Sequence, residues 1–323
     1  MNWQASTGKV ALQQRASLLM LVRDFFHRRQ VLEVSTPVLG AAGVSDVHLE
    51  NLMVAAPERD YYLQTSPEYA MKRLLASGSG PIYQLGPVFR GAEVGRRHNI
   101  EFPMLEWYRP GFTLAALMLE VVNLITAGAN LFESDIKAPV LVTYGDLFAR
   151  QFGVNPHRAS LQTLQGLAQT HGVAVDHITD HGDQATINDY LDTLFSAAIE
   201  PGLDDLTVVS DFPAGQAALA RTYADEHNDR VAERAEIYWH GCELANGYAE
   251  LVDPVALRGR LLRNNQWRAT RGLHSVALDE KLLAAIAFMP ASAGVAMGFD
   301  RFLMQVTGRS HIDEVISFTA ARL

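Results

Sequence analysis

Three stretches of this sequence place charged, aromatic and glycine residues at spacings that could do chemistry. In the first, alternation along a strand from Glu101 to Tyr108 puts Phe102, Met104, Glu106 and Tyr108 on one face and Leu105 and Trp107 on the other. Arg90 lies on a preceding strand, just before a polar loop that holds Gly91, Gly95, Arg96, Arg97, His98 and Asn99. A guanidinium, a basic loop and an aromatic ring around one surface suit an anionic ligand that carries a ring. A nucleotide such as ATP has that form. An exposed basic loop over a sheet edge would use the same residues.

The second stretch is Glu236 to Leu251, which reads as a hairpin turning at His240-Gly241. That turn sets Tyr238 opposite Glu243 and Glu236 opposite Ala245, so Glu236 and Glu243 become diagonal neighbours on one face. Two carboxylates together with water and phosphate oxygens suit Mg²⁺. Asn246-Gly247 is expected to disturb the strand and re-aim Glu250 into the same cavity. The third stretch is Gly294 to Arg301, a strand entering a helix that ends at Gly308, with Asp300 as its expected cap. Arg301 falls in the first turn, where a cation opposes the helix dipole unless it faces a phosphate. The spacing is not that of a dinucleotide fingerprint. His171, His177 and His181 lack the spacing and cysteines of a zinc site, and Cys242 reads as a small buried residue.

The elements that must position these residues follow from periodicity. Residues 11–30 read as an amphipathic helix, Val31 to Leu39 as a strand bent at Pro37, and Pro81–Arg90 with Glu101–Tyr108 as a hairpin. Leu114 to Phe132 reads as a helix, too interrupted by Glu120, Asn123 and Asn130 for a clean membrane span. The chain has 323 residues, 48% hydrophobic and 20% charged, which excludes disordered and low-complexity classes. A net charge of −9 is the wrong sign for a protein that coats nucleic acid. The stretch 145–230, with 13 acidic and 4 basic residues, reads as a solvated, partly helical insertion. One cysteine and no secretion signal place the chain in the cytoplasm.

Taken in order, Pro37 after a helix, Phe89-Arg90 with His98 to Phe102, and Gly298-Phe-Asp-Arg301 resemble motifs 1, 2 and 3 of class II aminoacyl-tRNA synthetases. Thr65 to Tyr69, Met104 to Tyr108 and Glu243 to Glu250 are similar to the lysyl-tRNA synthetase catalytic domain. The resemblance implies an α+β fold: a six- or seven-stranded antiparallel sheet flanked by helices, one catalytic domain over 1–323, dimerising around Pro37. An anticodon-reading barrel needs about a hundred residues ahead of the first helix, so no tRNA anticodon binding is expected. That pattern resembles the branch of the family that activates (R)-β-lysine and passes it to a lysine of elongation factor P. Ser66-Pro-Glu68, Leu105 to Arg109, Asp211 to Gln216 and Gly294 to Gly298 carry this closer likeness.

By that resemblance Arg90 holds the α-phosphate of ATP, Phe102 stacks on adenine, and Arg301 faces the γ-phosphate. Arg97, His98, Asn99, Leu244 and Gly298 complete the ATP contacts, and Glu236 and Glu243 hold Mg²⁺. Glu68 takes the amine near the substrate carboxylate. Glu106, Tyr108 and Glu250 surround the distal ammonium, with Ser66, Asn246 and Ala296 in the same pocket. Ala296 stands where lysyl-tRNA synthetases resemble Gly, which makes it the expected specificity position. The family carries an acidic residue two positions after the motif 2 arginine; here that place is Ala92, followed by Glu93. A compact tRNA synthetase, an amide synthetase with a small-molecule acceptor and a catalytically dead binding protein are the rival readings.

Overall fold

The computed structural model describes residues 3–91 and 94–322, so Ala92 and Glu93 lie outside the described residues. The chain divides into two compact units, Met1–Ile136 with Val252–Leu323, and Lys137–Leu251.

The first unit opens with α1 (Lys9–His27), which buries Leu18, Val22, Phe25 and Phe26 along one stripe. The single strand expected over Val31 to Leu39 is instead two short ones, β1 (Leu32–Glu33) and β2 (Leu39–Gly40). Pro37 has no N–H for a ladder, and the Thr36 N–H is used by Gln84 Oε1 at 2.8 Å. β2 joins β3 (Met53–Val54) and β4 (Tyr61–Leu63) in a small sheet of order β2-β4-β3. α2 (Glu68–Ala76) then leads to the expected hairpin, β5 (Ile82–Phe89) with β6 (Glu101–Pro110), registered from Ile82 opposite Tyr108 to Phe89 opposite Glu101. α3 (Leu114–Leu131) is long and apolar enough to cross a membrane. Its Leu117, Val121, Leu124 and Ile125 are buried in this unit, and its Glu120 accepts from Trp107 Nε1 at 3.1 Å, as in the core helix of a folded domain.

The second unit runs β7 (Val140–Thr143), α4 (Tyr144–Phe152), α5 (Leu161–His171) and α6 (Gln184–Ala198). It continues through β8 (Thr207–Pro213), β9 (Thr222–Ala224), β10 (Arg230–Tyr238) and β11 (Glu243–Ala249). The acidic stretch therefore holds strands as well as helices. Its polar residues cap helices: Thr143, Ser160 and Asp183 each accept a backbone N–H of the helix that follows. The strands run β11-β10-β8-β7 with β9 also on β10, all antiparallel except β7 on β8. Tyr144, Phe148, Phe195 and Phe212 centre its core.

The chain returns to the first unit as α7 (Pro254–Thr270), α8 (Glu280–Ala285), β12 (Ser292–Gly298) and α9 (Phe299–Val306). β12 pairs antiparallel with β6, completing an order β1-β5-β6-β12 in which only β1 on β5 is parallel. Antiparallel pairing dominates and helices flank it, as expected, with nine main-sheet strands among the described residues where six or seven were expected. Gly308, at φ 64, takes the left-handed turn that stops α9.

Candidate active site

In the first unit, β6 brings Glu106 and Tyr108 to one face, as period two requires, and both are buried. Tyr108 donates its hydroxyl to Glu106 Oε1 at 2.6 Å, and Ser66 donates to Oε2 at 2.7 Å. Ser66 Oγ in turn accepts the Glu68 N–H at 3.0 Å, which ties the start of α2 to the carboxylate. Burial, then the charge of Glu68, pushes the Glu106 carboxyl up to about 8, against the pull of the two hydroxyl donors. Ala296 on β12 is registered directly opposite Glu106, with Gln84 of β5 on the other side. Ser66, Glu68, Glu106, Tyr108 and Ala296 thus come together. The likeness that marked Ala296 did not say which residue it would face.

The nucleotide candidates form a second group in this unit. The Arg90 guanidinium lies over the Phe102 ring at 5.3 Å, and its Nε donates to the Thr65 carbonyl at 3.3 Å. Arg301, in the first turn of α9, reaches the motif 2 loop: its Nε is 3.5 Å from the Arg97 carbonyl and its Nη2 meets His98 Nε2. Asn99 is buried, and its side chain is used by the backbone; Nδ2 donates to the Glu101 carbonyl at 2.8 Å and Oδ1 accepts from Ala320 at 2.9 Å. Asn99 therefore clips the loop to the C-terminal segment. Gly298 is the N-cap of α9 and brings no capping side chain. The expected cap, Asp300, is buried and pairs with Arg15 of α1 at 2.6 Å. Its carboxylate is aimed into the core, away from the first-turn N–H groups.

The hairpin of the second unit turns where expected. His240 and Gly241 both have positive φ, 50 and 58, and Trp239 and Cys242 exchange backbone hydrogen bonds of 3.0 and 3.1 Å. Tyr238 stands opposite Glu243, but Glu236 stands opposite Asn246, where Ala245 was expected. The irregularity falls between Ile237 and Tyr238 on β10, facing Leu244, and not at Asn246-Gly247. One extra residue in β11 reverses every later side chain. Without it Asn246, Tyr248 and Glu250 would face away from Glu236; with it they share the face of Arg234, Glu236, Tyr238 and Glu243.

Glu236 is buried and is held by Arg234 Nη2 and the Tyr238 hydroxyl. Burial raises its pKa to about 7, opposed by Arg234 and reinforced by the charge of Glu243. Arg234 itself packs against the Phe212 ring at 4.6 Å and donates through Nη1 to the Gln216 carbonyl at 2.6 Å. Asn246 Oδ1 is buried without a hydrogen-bond partner. Glu236, Glu243 and Asn246 present oxygen donors on one face, which is the donor chemistry that a magnesium ion takes. Among the described residues no group of three or more His, Cys, Asp or Glu is placed to hold a metal by itself. His171, His177 and His181 are exposed and Cys242 is buried, as their sequence contexts suggest.

Two site residues had no sequence signal strong enough to single them out. Lys72 is almost fully buried and its Nζ donates to Glu68 Oε1 at 2.6 Å. An i,i+4 Glu-Lys pair is ordinarily a surface feature, so nothing in the spacing marks it as interior. Arg234 sits two residues before Glu236, and strand periodicity could have placed the two together once β10 was extended back to Arg230.

The β5–β6 hairpin and the turn from β12 into α9 stand where the sequence resembles motifs 2 and 3 of class II synthetases. The family model for class II tRNA synthetases (D, K and N) matches residues 1–322, and the chain belongs to that family. The elongation factor P–(R)-β-lysine ligase of Pseudoalteromonas translucida is 42% identical over 329 residues, covering 99% of this chain and 98% of the relative. Ligases of the same name from Proteus mirabilis and Vibrio cholerae serotype O1 are each 41% identical over 330 residues, with the same coverage.

Proposed function

We propose that this chain is an ATP-dependent ligase that activates (R)-β-lysine, or lysine, as an acyl-adenylate and transfers it to a lysine ε-amine of translation elongation factor P. The observation that carries the reading is the buried Glu106 carboxylate, bound by Ser66 and Tyr108 and facing Ala296, a place shaped for an ammonium. The relatives at 41–42% identity support the acceptor protein, and the family match over 1–322 supports a single catalytic domain.

In the first step a substrate carboxylate oxygen attacks the α-phosphorus, the bond to the β-phosphate oxygen breaks, and pyrophosphate leaves. Arg90 holds the α-phosphate, Phe102 offers its ring to adenine, and Arg301 with Arg97 and His98 receives the outer phosphates. Glu236 and Glu243, with Asn246 beside them, would hold Mg²⁺, which would supply positive charge against phosphate oxygens. Glu68 takes the amine nearer the carboxylate, while Glu106 and Tyr108 receive the distal ammonium. In the second step the acceptor amine attacks the acyl carbon, AMP leaves and the amine loses a proton. The product is an amide.

Exposed Leu12, Met20, Leu32 and Leu39 on α1, β1 and β2 support a homodimer formed around Pro37. The reading places the enzyme in the cytoplasm. The test is ATP–pyrophosphate exchange with Mg²⁺ across the standard amino acids and both β-lysine enantiomers, followed by transfer to elongation factor P. Exchange strongest with (R)-β-lysine, and a mass gain of one β-lysyl group on the acceptor, is the expected result. Exchange confined to a different amino acid, or charging of a tRNA, would overturn it.

A further inference from the structure

Lysine is among the residues least often found fully buried, because an ammonium loses its hydration unless a partner replaces it. Lys72 is 1% exposed, on the inner side of α2 beside Met71 and Leu75. A leucine would fill such a position at lower cost. What the ammonium does there is visible in its bond to Glu68, 2.6 Å from Oε1 and within the same two turns of helix. Glu68 is in turn tied at its N–H to Ser66, and Ser66 to Glu106. One interior cation therefore holds the carboxylate of Glu68, while Ser66 joins the Glu68 backbone N–H to the Glu106 carboxylate. The ammonium occupies one oxygen of Glu68, fixes the rotamer of that side chain and balances its negative charge.

We propose that Lys72 is a positioning and specificity residue: by holding Glu68 it sets where the carboxylate-proximal amine of the substrate is received, and so discriminates a β-amine from an α-amine. The inference rests on the functional reading above. The two lysines have the same chain length and the same terminal ammonium, and differ only by a one-carbon displacement of the other amine. A carboxylate pinned on one oxygen accepts that amine along one direction. A carboxylate free to rotate accepts both positions more equally, and more weakly.

The experiment is pyrophosphate exchange with Lys72→Met, which keeps an unbranched apolar side chain one atom shorter, with Lys72→Gln as a second variant. The expected result is a KM for (R)-β-lysine raised about tenfold, the scale of one charge-assisted hydrogen bond. The KM for ATP stays unchanged, and the preference for β-lysine over α-lysine falls by a similar factor. In a cycle with Glu68→Gln, the double variant Glu68→Gln/Lys72→Met is no worse than Glu68→Gln alone, because Lys72 acts through Glu68. Equal losses for both lysines, a parallel rise in the KM for ATP, or additive effects in the cycle would overturn the proposal. So would failure of both Lys72 variants to fold, which would assign the residue to the stability of the core. A wild-type enzyme that exchanges with neither lysine would instead overturn the functional reading, and the proposal with it.

Discussion

The two units each bury a glutamate on a strand and give it a tyrosine two residues on: Glu106 with Tyr108 in β6, and Glu236 with Tyr238 in β10. The motif is the same because period two puts both side chains on one face. The second partner differs. Glu106 receives a neutral hydroxyl from Ser66, whereas Glu236 receives the guanidinium of Arg234. Burial pushes both carboxyls up, to about 8 for Glu106 and about 7 for Glu236, and a second carboxylate, Glu68 or Glu243, adds to each. The difference teaches that a shared strand device does not set a carboxylate's task. A glutamate whose direct donors are both hydroxyls suits an ammonium that arrives with substrate. One already paired with arginine is a fixed part of an acidic face, ready to share charge with a metal and phosphates.

The comparison predicts that the second unit acts through Glu243 more than through Glu236, whose oxygens are already engaged. Glu243→Gln should lower adenylate formation by about a thousandfold with little change in melting temperature; near-normal pyrophosphate exchange in this variant would remove the metal assignment.

In the first unit the expected signature is in pH. Glu106 must give up its proton to pair with an ammonium, so the KM for the amino acid should rise about tenfold for each unit that pH falls below about 8. Glu106→Gln should abolish that dependence. The stability sign is the reverse of an ordinary ion pair. A carboxyl raised in the folded state contributes fully below its unfolded value of 4.5, and that contribution is lost as pH rises through about 8. Glu106→Gln should accordingly gain stability relative to wild type at pH 8 but not at pH 4, which urea unfolding at the two values would measure.

Removing the shared tyrosine separates the two devices directly. Tyr108→Phe should raise the KM for the amino acid about tenfold, because a buried carboxylate loses one of its two hydroxyl donors. Tyr238→Phe should cost about twofold in exchange rate, because Arg234 remains. Equal effects would mean that the arginine does not distinguish the sites. Ala296→Gly, opposite Glu106, should move only the lysine preference, toward α-lysine by about tenfold or less. Unchanged selectivity would take the methyl group out of the specificity argument.

Local chemistry made much of this legible from residue order alone. The β5–β6 hairpin, the His240-Gly241 turn, α3, and the entry of β12 into α9 each rest on alternation, helical periodicity or a glycine, and these signals act within a few residues. The face shared by Phe102, Glu106 and Tyr108 followed from the same rule. Other features depended on partners far away in the chain. Asp300 reads as a cap until Arg15, 285 residues away, is found to hold it. Val31 to Leu39 reads as one strand until Thr36 finds Gln84 and Pro37 interrupts the pairing.

The amino-acid sequence by itself determined which residues could carry charge to a nucleotide and an ammonium, and which strand faces they would occupy. Tertiary structure alone decided two things. A bulge at Leu244, needing no glycine to mark it, turned Asn246 and Glu250 onto the face of Glu236. Burial decided that Lys72, by spacing an ordinary surface partner for Glu68, became an interior cation. The physical reason is the same in both cases. Register and desolvation are properties of what packs against a residue, and no window of neighbouring residues contains that information.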